Sequence, residues 1–177
     1  HASGGTFSKY SHEFQTLTDA GEDTIYLCSC GVAVNKEIRA ETPACPACSK
    51  KDAKEMKAIE VGNIFPLQTR FSDSFGFTYK DEKGSDQKVM MGCYGIGLGR
   101  LMGTIAEIHH DDRGMIWPKS VAPYRAHLVA VHGKTDAVAK EADGLYAQLQ
   151  TEEIEVLYDD RADKRAGEKF ADADLFG

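Results

Sequence analysis

The chain has no stretch approaching the roughly 20 consecutive apolar residues that a membrane helix needs, so no segment of it reads as a bilayer-spanning helix. It also lacks a basic excess: 21 Lys and Arg stand against 28 Asp and Glu, for a net charge of −7. Residues 1 to 121 carry 14 basic against 16 acidic side chains, and residues 122 to 177 carry 7 against 12. Nonspecific coating of DNA or RNA rests on clustered cations, so any nucleic-acid partner must be met by a local patch. Cysteine is scarce and unevenly spread. Four of the five fall between Cys28 and Cys48 and the last is Cys93, which suits metal binding plus a lone thiol in a reducing cytoplasm better than a secreted disulfide framework. No leader of basic then apolar residues precedes the first structured stretch, and the first residue is His1. The chain is therefore expected to begin within a longer protein or after processing.

Three familiar signatures are missing as well. No Gly-Lys-Ser/Thr makes a P-loop, Arg100 stands where a dinucleotide fingerprint needs its third glycine, and Thr16 breaks a metalloprotease His-Glu-x-x-His begun at His12. What is present is a small and apolar run from Met90 to Gly103, with Gly92, Gly95, Gly97 and Gly99 crowded together and a single cation, Arg100. Glycines of this density serve where backbone approaches backbone or a ligand closely. Leu98 to Glu107 reads as a helix, which places Arg100 near its first turn, where free N–H groups already favour anions.

Around this run the pattern is mostly strand. Ser11–Leu17, Thr24–Leu27, Ile59–Leu67 and a Phe75–Met91 hairpin follow one another with no intervening long helix, which predicts an antiparallel sheet. Pro66 is expected at an edge or a bulge, and the charged stretch Lys50 to Lys57 at a solvated helix or loop. A second unit is expected from residue 122. Residues 126–131 and 154–158 read as strands on either side of an amphipathic helix over Thr135 to Leu149, a parallel βαβ unit, and a last helix spans Gly167 to Asp174. Such a start needs a further strand to cover its apolar surface, so the natural protein is expected to continue beyond Gly177. The fold class is α+β, an antiparallel sheet with helices followed by the start of an α/β domain.

Cys28-Ser29-Cys30-Gly31 and Cys45-Pro46-Ala47-Cys48 could supply four thiolates to one Zn²⁺. The second pair has the favoured spacer. The first is one residue short, and side chains two apart on an extended strand lie about 7 Å apart, so it needs a bend at Gly31 to share a metal. Free thiols or an oxidised pair are the other readings.

Strand, glycine-rich turn, arginine and helix in that order resemble motif 3 of the class II aminoacyl-tRNA synthetases, and Gly-Cys-Tyr-Gly-Ile-Gly-x-Gly-Arg from Gly92 is similar to the form found in prolyl-tRNA synthetases. The resemblance covers nearly the whole chain in order. Its further segments are Ser-His-Glu-Phe-Gln at 11, Gly-Glu-Asp-Thr at 21, Ala-Val-Asn-Lys-Glu at 33, Glu-Val-Gly-Asn-Ile-Phe at 60 and Gly-Met-Ile-Trp-Pro at 114. Asp159-Asp160-Arg161 and Gly167 to Asp172 resemble the start of that family's anticodon-binding domain. The implied organisation is a C-terminal part of a catalytic domain over 1–121, with motif 3 at 91–103 and a small Cys-rich insertion at 28–57, and a truncated anticodon-binding domain over 122–177. The implied function is ATP-dependent activation of proline to prolyl-adenylate and transfer to tRNA(Pro), in the cytoplasm, by a homodimer that uses Mg²⁺ with ATP and contacts neither membrane nor DNA. Arg100 is the implied catalytic residue, holding ATP with Gly95, Gly97 and Gly99, and His12, Cys93 and Tyr94 are the implied proline pocket.

There are three departures from the family. Its motifs 1 and 2 would precede His1, the large editing insertion of many bacterial relatives is replaced by the short Cys-rich stretch, and Gln68 stands where glycine is usual. Hydrolysis of mischarged alanyl-tRNA is therefore not expected. Rival readings are another class II synthetase of threonyl or glycyl type, or a nonenzymatic zinc ribbon that binds RNA or protein through residues 24 to 50.

Overall fold

In the computed structural model, which describes residues 1–133 and 137–177, six strands from the first part of the chain join one antiparallel sheet. They are β1 (Ala2–Ser3), β2 (Tyr10–Leu17), β3 (Asp23–Leu27), β4 (Ala33–Asn35), β5 (Lys54–Gln68) and, after the short helix α1 (Arg70–Ser74) and the hairpin β6 (Thr78–Lys80) and β7 (Asp86–Lys88), β8 (Met91–Ile96). The long strand β5 is the spine. Its start pairs with β3, its middle with β2 and its end with β8, all antiparallel. Ala58 pairs with both Leu17 and Asp23, and Gly62 with both Phe14 and Ile96, so β3 and β8 share the edge of β5 opposite β2.

The link from β2 to β3 must therefore cross β5. Gly21 makes that crossing possible, since a Cβ there would stand 2.4 Å from the Ala58 carbonyl oxygen. Ala58 is itself fully buried, so neither partner can move aside. Buried apolar side chains of this unit include Ile25, Val34, Ile38, Ala58 and Leu67.

One expectation is corrected here. Lys54 to Lys57 are strand, not helix or loop, because β3 pairs with them and the Tyr26 hydroxyl donates to Glu55 Oε2 at 2.9 Å; cross-strand pairing overrides a charged local pattern. The expected irregularity at Pro66 is present: Pro66 pairs with Gly92 of β8, beyond the last β2 pair at Ile64, and a register shift follows between Pro66 and Gln68. The hairpin is present, but β6 and β7 form a separate two-stranded sheet. Helix α1, with five residues, is too short to have left a periodic signal.

The chain divides into two compact units, 1–107 and 108–177. After α2 (Leu98–Ile108), the second unit contains β9 (Ala126–Val129), α3 (Ala137–Thr151), β10 (Val156–Asp159) and α4 (Ala166–Phe176). Strands β9 and β10 are parallel, in register Val156↔Ala126 through Asp159↔Val129, as a strand-helix-strand connection requires. The expected helix start at Thr135 lies outside the described residues. Lys169 on α4 is fully buried against the ends of both strands: Nζ donates to the Ala130 carbonyl at 2.6 Å and the Asp159 carbonyl at 3.3 Å, and pairs with Asp159 Oδ1 at 3.5 Å.

Candidate active site

Helix α2 is fastened to β5 at its first turn. The Gly97 N–H donates to the Val61 carbonyl at 3.1 Å, and the Gly97 carbonyl accepts from the Leu101 N–H at 2.7 Å, opening the helix. Arg100, the third helical residue, turns back over β5. Its Nη1 donates to the Glu60 carbonyl at 2.9 Å and lies 3.5 Å from Glu60 Oε2, while the side chain stays 57% exposed. Glu60 Oε1 accepts from Asn63 Nδ2 at 2.8 Å. Across the ladder from Asn63 stands Gly95, where a Cβ would lie 2.8 Å from Asn63 Oδ1. Gly99 and Gly103 differ: among the described residues nothing lies within 4 Å of where their Cβ atoms would be. Packing inside this unit does not account for two glycines in a helix, each of which costs about 0.5–1 kcal/mol relative to alanine.

Side chains alternate across a sheet and directly paired residues share a face. The rows His12↔Ile64↔Tyr94 and Phe14↔Gly62↔Ile96 therefore lie on one face, while Glu13↔Asn63↔Gly95 and Phe65↔Cys93 lie on the other. A bulge at Val61, between the pairs Phe14↔Gly62 and Gln15↔Glu60, changes the phase of β5. It brings Glu60 to the side of Asn63. There Glu13, Asp23 and Glu60 carboxylates gather within 4.8 Å of one another, and Gln15 Nε2 donates to Glu13 Oε2 at 2.9 Å and Asp23 Oδ2 at 2.7 Å.

Burial, with Glu60 and Asp23 adding repulsion, raises the Glu13 carboxyl above its usual pKa, against hydrogen bonds from Gln15 and Asn35 that lower it. A carboxyl whose folded pKa is raised stabilises the fold through its proton. The stability it contributes at low pH is lost as pH rises from the unfolded value, about 4.3, through the raised one. Glu13→Gln is accordingly expected to melt at a higher temperature than the parent chain at pH 7, with the difference shrinking below about pH 4. Thermal denaturation across that range checks it; a lower melting temperature at pH 7 would contradict the sign.

The residues singled out from sequence are thus divided. Arg100, Gly95 and Cys93 fall with the polar cluster, whereas His12 and Tyr94 occupy the reverse face, because Cys93 and Tyr94 are sequence neighbours on one strand. That reverse face is apolar. Phe14, Ile64, Tyr94, Ile96, Leu98 and Leu101 line a hollow of about 780 Å³, with Tyr94 75% and Leu98 76% exposed. Sequence reading missed Glu13, Gln15, Asp23, Glu60 and Asn63. The alternation of Glu13 and Gln15 on a strand was a usable signal, but the bulge that adds Glu60 left none.

The four clustered cysteines come together at the far end of the sheet. Cys28 follows β3 and Cys45 and Cys48 precede β5; Cys28 Sγ lies 3.5 Å from Cys48 Sγ, and Cys30 Sγ 3.4 Å from Cys45 Sγ. Burial acts to raise the Cys45 thiol, but the N–H groups of Cys48 and Ala47, with the Cys30 and Cys48 thiols, more than offset it and leave it at about 6.

Residues 5–109 match the tRNA synthetase class II core domain (G, H, P, S and T). The chain belongs to the class II tRNA synthetases. Residues 125–177 match the anticodon binding domain. This class II synthetase chain is 55% identical over 121 residues to the proline–tRNA ligase of Bacillus subtilis, covering 68% of this chain and 21% of that protein. It is 50% identical over 137 residues to the proline–tRNA ligase of Thermoanaerobacter pseudethanolicus, covering 77% and 24%. The chain spans about a fifth to a quarter of the length of the curated relatives it matches. Among solved structures it is similar to prolyl-tRNA synthetase from Cryptosporidium parvum complexed with L-proline and AMP, with a TM-score of 0.60 and 25% identity over 68% of this chain and 26% of that one. The antiparallel sheet expected for a class II core is the sheet observed.

Proposed function

We propose that this chain is part of a proline–tRNA ligase. The observation that carries the reading is the strand-turn-helix of β8 and α2, in which Arg100 is held over β5 beside Gly99 and Gly103, where no described residue would meet a Cβ, within a core half-identical in sequence to proline–tRNA ligases. The reaction is ATP-dependent. A proline carboxylate oxygen attacks the α-phosphorus, the bond to the β-phosphate breaks and pyrophosphate leaves; a hydroxyl of the terminal adenosine of tRNA(Pro) then attacks the activated carbonyl and AMP leaves. Such displacements need positioned reactants and fixed positive charge more than covalent help.

Arg100 supplies a planar, permanently charged group that can stack on adenine and pair with phosphate oxygen, and Gly95, Gly97 and Gly99 leave room for the nucleotide, which enters with its Mg²⁺. The reacting face is that of the polar cluster, where Cys93 lies beside the proline. His12 and Tyr94 project to the other face of the sheet, so in this reading they act on the pocket only by supporting the strands they share with Glu13 and Cys93. The apolar reverse face suits cover by the remainder of a catalytic domain, and a homodimer in a reducing cytoplasm is the assembly this reading implies. The catalytic part extends to residue 121, with the anticodon-binding part from 122. Exchange of pyrophosphate into ATP by the full-length protein, dependent on proline, tests the proposal.

A further inference from the structure

We infer that Cys28, Cys30, Cys45 and Cys48 bind one structural Zn²⁺ that clamps the ends of β3 and β5 together. The inference rests on the sulfur geometry and not on the catalytic reading. All four Sγ atoms lie within 4.8 Å of one another, and the closest contacts, 3.5 Å for Cys28 to Cys48 and 3.4 Å for Cys30 to Cys45, each join one cysteine pair to the other. A tetrahedral ion with Zn–S bonds of about 2.3 Å holds its sulfurs about 3.8 Å apart. Small side-chain adjustments therefore close the cluster around an ion.

The turns are shaped for this. Gly31 adopts φ +86°, its N–H donates to the Cys28 carbonyl at 2.9 Å, and the Cys28 N–H donates to the Val32 carbonyl at 3.0 Å. The chain thus folds back at once, which removes the distance problem of the one-residue spacer. In the second turn the Cys45 N–H donates to the Lys50 carbonyl and the Ser49 N–H to the Cys45 carbonyl, both at 2.8 Å. Asp52 fixes the first turn by accepting from Ser29 Oγ at 2.8 Å.

The role is structural. Residues between β3 and β5 contain little regular structure beyond β4 and a single 3₁₀ turn at Lys36–Ile38, with Cys28, Ile38 and Cys45 as their buried apolar side chains besides Val34. A metal supplies the closure that so small a core cannot. The ladder between β3 and β5 ends at Leu27↔Lys54, directly beside the cluster, so the ion fixes the beginning of the strand that carries Glu60 and Asn63.

The test is elemental analysis of the untagged chain purified in reductant, followed by Co²⁺ titration of the metal-free protein. One zinc per chain is expected, and Co²⁺ is expected to give the thiolate charge-transfer and intense visible bands of a tetrahedral sulfur site, abolished by adding Zn²⁺. Cys45→Ser should lower the metal to background, and Cys93→Ser should leave one zinc per chain. Background metal in the parent chain, a cobalt spectrum without thiolate bands, or disulfides joining the four cysteines under reductant would each overturn the inference; the cobalt titration decides it even where Cys45→Ser does not fold.

Discussion

Replacing Asp159 with asparagine is expected to destabilise the second unit by about 3–5 kcal/mol, the cost of removing one partner from a buried ion pair. Asp159 is 7% exposed and Lys169 is fully buried, and among the described residues Asp159 provides the carboxylate that faces Lys169 Nζ. Asp159 also receives the guanidinium of Arg161, at 2.9 Å from Nε to Oδ1 and 2.7 Å from Nη2 to Oδ2, which in turn reaches Asp172 at 2.7 Å. The two partners are therefore not equivalent. Lys169→Met leaves Asp159 paired with Arg161 and fills the site with a side chain of similar length, so its cost should be well below that of Asp159→Asn. Denaturant unfolding of both variants gives the comparison, and equal losses would contradict it.

The pH dependence follows from the same contacts. Hydrogen bonds from Arg161 hold the Asp159 carboxyl well below the usual carboxylate range, against its burial and with help from Lys169. A depressed carboxyl contributes stability that is fully present above its unfolded value, about 3.9, and is lost as pH falls through the folded one. The parent chain should lose that contribution in acid, and Asp159→Asn, lacking it at every pH, should show a shallower acid limb.

On the proposed function, Arg100→Ala is expected to lower proline-dependent pyrophosphate exchange by the full-length protein by about 10³-fold, the scale on which arginines act at phosphoryl-transfer centres. Arg100→Lys should recover little, because an ammonium neither stacks on a base nor presents two donors to phosphate oxygens. The side chain is 57% exposed and, among the described residues, its hydrogen bond and ion pair both go to Glu60, so the loss of stability should stay within about 1 kcal/mol. Exchange kinetics paired with a melting curve separate the two effects. Normal exchange by the alanine variant would remove Arg100 from the mechanism.

The start of α2 at Leu98 was legible because a run of small residues gives way to helical spacing there, and the strands around it because they alternate. The paired cysteines were legible as a cluster from spacing alone, although it took the turn at Gly31 to show how a one-residue spacer brings two sulfurs to one point. The polar cluster was not. Glu60 reaches Glu13 and Asp23 only because one extra residue in β5 changes the phase of the strand, and a bulge is set by pairing between strands far apart in sequence. For the same reason Cys93 and Tyr94, adjacent in the motif and both assigned to one pocket by resemblance, project to opposite faces. The charged start of β5 misled in the other direction, since Lys54 to Lys57 take their conformation from β3.

The most direct test of whether this core activates proline is amino-acid-dependent exchange of pyrophosphate into ATP by the full-length protein, assayed in parallel with proline, threonine and glycine. Exchange that requires proline and stays at background with the other two is the expected result. Exchange driven by threonine or glycine, or none with proline under conditions where the protein is folded, would contradict it.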